Sequence, residues 1–218
     1  MNSKLKNFAK EKIPFALPIA KATEVLVKHR NSKRIIRRLL SKGSEISIEL
    51  GSGDKKGQGG WTTIDVTRNC DIFWDLRKGL PFPDGSVKRI YSSHFFEHLS
   101  FKETKYFLIE CKRVLQPGGR FLICVPNARI YLEAYVNGTT LDPSLFFGYK
   151  PAYNNTTRID YVNYTAYMDG EHKNMFDEES LLYILESAGF KNVHLRQFDP
   201  NLDLKDRDFE SIYAEAEK

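Results

Sequence analysis

The stretch that most constrains this chain is residues 46–65, ISIELGSGDKKGQGGWTTID. Ile46, Ser47, Ile48, Glu49 and Leu50 are apolar or β-branched apart from one serine and a terminal acid, and the run breaks at once into Gly51, Ser52 and Gly53. A short apolar run closed by glycines suits a central parallel strand opening into a tight turn. Ligands of open α/β sheets sit there, outside the carboxyl ends of the strands. The two glycines permit backbone torsions other residues avoid and let a ligand come close to the main chain. A second strand, Trp61 to Ile64, runs into Asp65, an acid able to accept hydrogen bonds from both hydroxyls of a ribose. Only Asp54 to Gly60 separate Gly53 from that strand, so the first crossover is expected to be a short basic glycine loop without the usual helix. A helix N-terminus is then missing as a partner for a bound anion.

Further segments extend the pattern. Asp71 to Trp74 reads as a third strand followed by Asp75-Leu76-Arg77, and Pro81-Phe82-Pro83-Asp84-Gly85 is a stiff turn. Arg89 to Ser93 reads as a fourth strand that gives way to His94-Phe95-Phe96-Glu97-His98-Leu99. Lys102 to Leu115 has helical periodicity, and Pro117-Gly118-Gly119 is expected to stop it before a fifth strand, Arg120 to Val125. Asp177 caps a helix over Ser180 to Ala188 that ends at Gly189, followed by strands at Asn192 to Phe198 and Ser211 to Glu217.

From Ile46 to Asn127 the order and spacing of these motifs resemble a class I S-adenosylmethionine-dependent methyltransferase of the type 11-like kind. His172 to Phe190 is similar to the closing helix of that family's glycan-associated branch. The resemblance implies an α/β, doubly wound, Rossmann-like sheet of seven strands. It implies S-adenosylmethionine as cofactor, S-adenosylhomocysteine as product, and cofactor contacts from Glu49, Gly51, Ser52, Gly53, Asp65, Ser93 and His94. By the same resemblance Asp75 reaches the adenine amino group and Leu76 packs on its ring. The acceptor it implies is an oxygen on a sugar or glycan-biosynthesis intermediate.

An alcohol acceptor must lose its proton as the new bond forms, and a positioned histidine is the obvious base near neutral pH. His94 is the first candidate, with His172 the second catalytic candidate. A lone histidine in this place also reads as a structural residue. His94-x-x-Glu97-His98, with His172 downstream, is similar to the Glu-x-x-Glu-His cluster of metal-dependent small-RNA 2′-O-methyltransferases, but His stands where that family has Glu. Glu-His pairs also occur in relatives that use no metal. The expectation is therefore chemistry without a divalent metal, with Glu97, His98 and His172 as the residues that would hold one.

Charge is uneven. Residues 1–42 hold 12 Lys or Arg against Glu11 and Glu24, while the remaining 176 residues hold 21 against 26. We expect residues 1–42 to form a basic helical arm and residues 43–218 the methyltransferase domain, with 128–170 as its substrate-recognition insertion. Lys33 to Leu40 reads as an amphipathic helix with Ile36, Leu39 and Leu40 on one stripe. Its cations suit peripheral contact with an anionic membrane, or serve only as a solvated face. The insertion is rich in Tyr131, Tyr135, Phe146, Phe147, Tyr149, Tyr153, Tyr161, Tyr164 and Tyr167. Such rings stack on sugars, or pack as a helical lid.

Three cysteines without Cys-x-x-Cys spacing suggest neither a disulfide framework nor a zinc cluster, and the expected location is cytoplasmic, with the inner membrane surface as the peripheral alternative. The apolar stretch Ile13 to Ala20 is too short to span a bilayer. A small-molecule or glycan acceptor is expected and nucleic acid is not. Two other functions compete: a metal-dependent methyltransferase acting on a nucleotide or RNA hydroxyl, and a non-catalytic protein of this fold docking on membrane or nucleic acid. An NAD-dependent reductase is disfavoured, since Gly51, Gly53 and Gly57 depart from the dinucleotide fingerprint and no Tyr-x-x-x-Lys occurs.

Overall fold

The computed structural model describes residues 16–43, 45–142, 144 and 156–218, with side chains described from residue 23 onward. Residues 1–15 of the expected arm, and Phe146, Phe147, Tyr149 and Tyr153 of the insertion, lie outside the described residues.

β1 (Ser47–Leu50) is buried at every position, as its apolar composition demands. It pairs in parallel with β2 (Trp61–Asp65) on one side and β4 (Val87–Ser93) on the other, with Ser47 opposite both Trp61 and Arg89. β3 (Ile72–Phe73) extends the sheet beyond β2, and β5 (Leu115–Pro126) lies parallel to β4. β7 (Ser211–Glu217) inserts antiparallel between β5 and β6 (Lys191–Leu195), which gives the order β3-β2-β1-β4-β5-β7-β6. Each of the seven strands overlaps one that the sequence pattern predicts, though several ends differ. The strand order reverses between β1 and β4, so a crevice opens at their carboxyl ends.

Residues 51–60 cross from β1 to β2 without a helix. Parallel pairing normally needs a crossover of a dozen or more residues. Here side-chain ties within the loop replace the helix.

β5 begins earlier than the sequence suggests. Leu115 already pairs with Val87, and the register then shifts so that Arg120 faces Arg89. The segment Gln116-Pro117-Gly118-Gly119 is a bulge inside the strand, with Gly118 at φ 71°, where the pattern reads as a stop.

α1 (Ala16–Ser41) is longer than its expected amphipathic core. Ser32 and Ile36 are buried, with Ile35 and Leu39 partly so, while Leu40 is 36% exposed and off the stripe. The Ser32 hydroxyl accepts from the Phe73 amide at 2.9 Å and sits 2.9 Å from the Lys28 carbonyl. His29 packs edge-on against Phe73 and Trp74. The carboxyl half of α1 is thus docked on β3, with Lys33, Arg34, Arg37 and Arg38 exposed.

α2 (Phe101–Val114) starts at a capping box in which Ser100 accepts from the Glu103 amide and Glu103 from the Ser100 amide. α5 (Glu178–Ser187) has the same device with Asp177 and Ser180, and Gly189 at φ 80° follows it. Phe107, Leu108, Cys111 and Val114 of α2, with Leu181 and Leu185 of α5, join Ile36 and the strands in one core. α3 (Ala128–Val136) and α4 (Ile159–Ala166) lie within the insertion and share a second cluster of Tyr131, Ala134, Tyr161 and Tyr164.

Candidate active site

The glycine loop is built from β1 outward. Gly51 lies at φ 66° and donates to the Ile64 carbonyl at 3.1 Å, and a Cβ there would fall onto the Phe95 ring. Gly53 lies at φ 65°, yet a Cβ there would meet nothing within 4 Å. That open space against the main chain is room for a ligand. The Gly53 amide donates to Asp65 Oδ2 at 2.9 Å, and the Val66 amide donates to Asp65 Oδ1 at 2.6 Å. A carboxylate has about four acceptor sites, so Asp65 keeps lone pairs for two ribose hydroxyls. These observations fit the adenosyl group of S-adenosylmethionine.

Residues the sequence reading passed over hold the rest of the loop. Asp71 Oδ2 accepts from the Gly57 amide at 2.9 Å, the Thr63 amide at 3.1 Å and the Thr63 hydroxyl at 3.0 Å. Burial raises the Asp71 carboxyl, but the hydrogen bonds from Thr63 and Gly57 outweigh it and hold it below the usual range. Asp54 accepts twice from Asn69 at 2.8 Å, and the Thr67 hydroxyl donates to the Gly53 carbonyl at 2.6 Å. Their acid and hydroxyl side chains were the available signal, but only the fold shows that they face one loop.

The other expected cofactor residues have local partners. Buried Glu49 pairs with Lys55 at 2.6 Å, its carboxyl pushed up by burial against that pairing. The Ser52 hydroxyl donates weakly to the Gly53 carbonyl at 3.4 Å. Asp75 caps the 3-10 turn Leu76–Lys78 and binds the Arg77 guanidinium at 2.9 and 3.1 Å. Leu76 belongs to the main core. Turn and core account for both side chains, so their assignment to adenine rests on the resemblance alone. Ser93 ends β4, half-buried, opposite Cys124.

Beyond β4 the expected catalytic residues come together. His94 sits at φ 49°, its amide donating to the Cys124 carbonyl at 2.9 Å. Its side chain is 5% exposed, with Nε2 2.9 Å from Ser211 Oγ and Nδ1 3.5 Å from Glu97 Oε1. The ring is turned inward, between β7 and the 3-10 turn Phe96–His98. Glu97 is 2% exposed, and its backbone carbonyl accepts from the Lys173 amide at 2.7 Å, binding that turn to the chain after the insertion. His98 Nε2 lies 3.9 Å from Glu97 Oε1, and His98 Nδ1 lies 3.0 Å from the Glu171 carbonyl. His172 is 4% exposed, with Nδ1 3.0 Å from the Thr165 carbonyl and its ring edge-on to His98 at 5.0 Å. One ligand-capable atom from each of Glu97, His98 and His172 lies within 4.8 Å of the others. Burial raises the Glu97 carboxyl, but His94 and then His98 more than offset it, so it stays below its usual range. Burial lowers His172.

In the aromatic insertion, the packing alternative accounts for three of the described rings. Tyr131, Tyr161 and Tyr164 are buried, and Tyr131 donates to Glu210, which also receives Arg207 Nε at 2.8 Å. They pack the second core. Tyr135 and Tyr167 are exposed.

Residues 68–123 match a family profile described as a methyltransferase domain. Over 57 residues the chain is 44% identical to a probable S-adenosylmethionine-dependent methyltransferase of Mycolicibacterium smegmatis, covering 24% of this chain and 21% of that protein. Over 145 residues it is 28% identical to a demethylmenaquinone methyltransferase of Tropheryma whipplei, covering 60% of this chain and 54% of that one. The chain thus spans 21% and 54% of the lengths of these curated relatives. Among solved structures it is similar to a SAM-dependent methyltransferase from Archaeoglobus fulgidus, with a TM-score of 0.50, 18% identity, and coverage of 88% of this chain and 93% of that one. The fold is the Rossmann-like one of S-adenosylmethionine-dependent methyltransferases.

Proposed function

We propose that this chain transfers the methyl group of S-adenosylmethionine to an oxygen of a hydroxyl-rich acceptor, a sugar or a glycan-biosynthesis intermediate. The observation that carries the cofactor reading is the Asp65 carboxylate bonded to the Gly53 amide at 2.9 Å, beside the point where the strand order reverses. Asp65 would hold the ribose and Gly53 would leave the cofactor room against the backbone. The sulfonium supplies an activated methyl group, so the protein's task is to hold an acceptor lone pair in line with the departing sulfur. The proton an alcohol sheds needs a nearby acceptor, and the histidines gathered after β4 are the groups of this chain that supply one.

The acceptor reading rests on the resemblance of His172 to Phe190 to the glycan-associated branch; within the insertion, a hollow of about 510 Å³ is lined by Tyr135, Thr140, Thr156, Thr157 and Arg158 among others. Hydroxyls and a guanidinium suit a polyhydroxylated ligand. Calorimetric titration with S-adenosylmethionine, S-adenosylhomocysteine and NADH tests the cofactor, with saturable binding expected for the first two alone. Failure of both sulfur ligands overturns the proposal. Methyl transfer to sugar nucleotides or lipid-linked sugars tests the acceptor. Turnover of demethylmenaquinone instead, the acceptor in a relative's name, would keep the transferase and overturn the sugar.

A further inference from the structure

We propose that Glu97, His98 and His172 form a binding site for one divalent transition-metal ion of the zinc or cobalt kind. The argument is a count of protons. A carbonyl oxygen only accepts, so the contact of His98 Nδ1 with the Glu171 carbonyl at 3.0 Å places that ring's hydrogen on Nδ1. In the neutral ring the lone pair is then on Nε2, the nitrogen that faces Glu97. His172 is pinned in the same way by the Thr165 carbonyl at 3.0 Å, which leaves its Nε2 as the nitrogen able to ligate. Among the described residues, neither oxygen of Glu97 has a hydrogen-bond donor, although the side chain is 2% exposed.

Three electron-pair donors therefore converge with no hydrogen among them. A buried carboxylate in that setting is unfavourable unless it is paired or coordinates a cation. Two neutral imidazoles and one carboxylate are a donor set that suits zinc and its neighbours. Backbone carbonyls holding the far nitrogens of both rings are the second-shell arrangement that fixes metal-binding histidines. Ligand atoms in a tetrahedral zinc site stand roughly 3.3 Å apart, given bonds of about 2.0 Å. The three atoms lie within 4.8 Å of one another, and His98, at 33% side-chain exposure, is the ligand free to close in. Three protein ligands leave a fourth position open, reached by solvent past His98.

His94 backs this cluster without joining it. The Ser211 hydroxyl donates to the Arg207 carbonyl at 2.6 Å, so its oxygen receives the His94 Nε2 hydrogen. His94 Nδ1 then stands 3.5 Å from Glu97 Oε1 with no hydrogen-bond partner. Protonation of His94 is the rival way to satisfy Glu97, with no metal needed. On the methyltransferase reading, and resting on it, the open position takes an acceptor hydroxyl and lowers its proton affinity.

The chelator-treated 218-residue chain titrated with ZnCl₂ by calorimetry, and with CoCl₂ by visible absorption, tests the site without any turnover. One equivalent is expected, with the visible bands of tetrahedral cobalt and a raised melting temperature. His98→Ala, at the exposed edge, and His172→Ala should each weaken binding at least tenfold, while His194→Ala on exposed β6 should leave it unchanged. Circular dichroism and S-adenosylhomocysteine affinity confirm that each variant is folded. Absence of saturable binding by the unaltered protein, or binding that survives both histidine variants, would overturn the site. S-adenosylmethionine titrated alongside separates that failure from failure of the cofactor reading. A Glu97→Gln variant less stable than its parent, with no metal bound by either, would assign the carboxylate to His94 instead.

Discussion

Asp65 ties the glycine loop with one oxygen and its own strand end with the other, so its loss acts on both ligand and backbone. Asp65→Ala should weaken S-adenosylmethionine binding by about 1–3 kcal/mol in calorimetry, the range for hydrogen bonds to a charged group. The two glycines beside it should respond differently. Gly51→Ala forces a Cβ onto the Phe95 ring at positive φ and should lower stability by roughly 1–3 kcal/mol in denaturant unfolding. Gly53→Ala, with open space around it, should cost about 1 kcal/mol of stability but lose more in cofactor affinity. At this scale the loop glycines and Asp65 were legible, because few other residue types serve those torsions and that ligand. The meeting of Glu97 and His98 with His172 was legible only as a possibility, since 73 residues of chain separate His98 from His172 and the fold alone closes the gap. Which of the insertion's tyrosines pack inward was not legible for a related reason: a ring's sequence position does not say which side of a helix is inward.

Single side chains also hold whole elements in place. Arg113 on α2 binds Glu110 with Nε at 2.8 Å and reaches the carbonyls of Leu80 and Phe82 at 3.1 and 2.9 Å, while Glu110 accepts from the Leu80 amide at 2.9 Å. The proline turn before β4 is thereby fastened to α2. The Arg113 hydrogen bond holds the Glu110 carboxyl below its usual range, against burial. A carboxyl depressed in the folded state stabilises it fully above the unfolded value of about 4.3, and that stability is lost as pH falls through the folded value. Glu110→Gln should therefore cost about 1–3 kcal/mol at neutral pH. In urea unfolding followed against pH, the gap between the two proteins should close only in acid below that range. Element boundaries were less legible than elements. The Pro117-Gly118-Gly119 segment looks like a break because proline and glycine weaken any strand, yet β4 tolerates the bulge and pairs on both sides of it.

Across the molecule the basic charge is concentrated in residues 1–42, and the described part of that region is a helix with one docked side and one cationic side. Ile36 belongs to the same core as Ala216 near the other end of the chain. Ile36→Ala should therefore lower the melting temperature of the whole fold in a single calorimetric transition, with a loss of about 2–5 kcal/mol. A separate low-temperature transition would mean that the helix unfolds as its own unit. No helix of the described residues is long and apolar enough to cross a membrane. The proposal at this scale is peripheral contact: Val25, Leu26 and Val27 are exposed on the same helix as the free cations. The protein should co-sediment with anionic vesicles and be released by high salt, and equal binding to neutral vesicles would count against an electrostatic contact. The docking of Ser32 on Phe73, across 41 residues, also sets an order of events during synthesis. α1 leaves the ribosome before its anchor, which emerges only after the glycine loop and β2. A nascent chain halted before residue 73 would present the helix undocked, apolar stripe outward, to whatever waits at the exit tunnel.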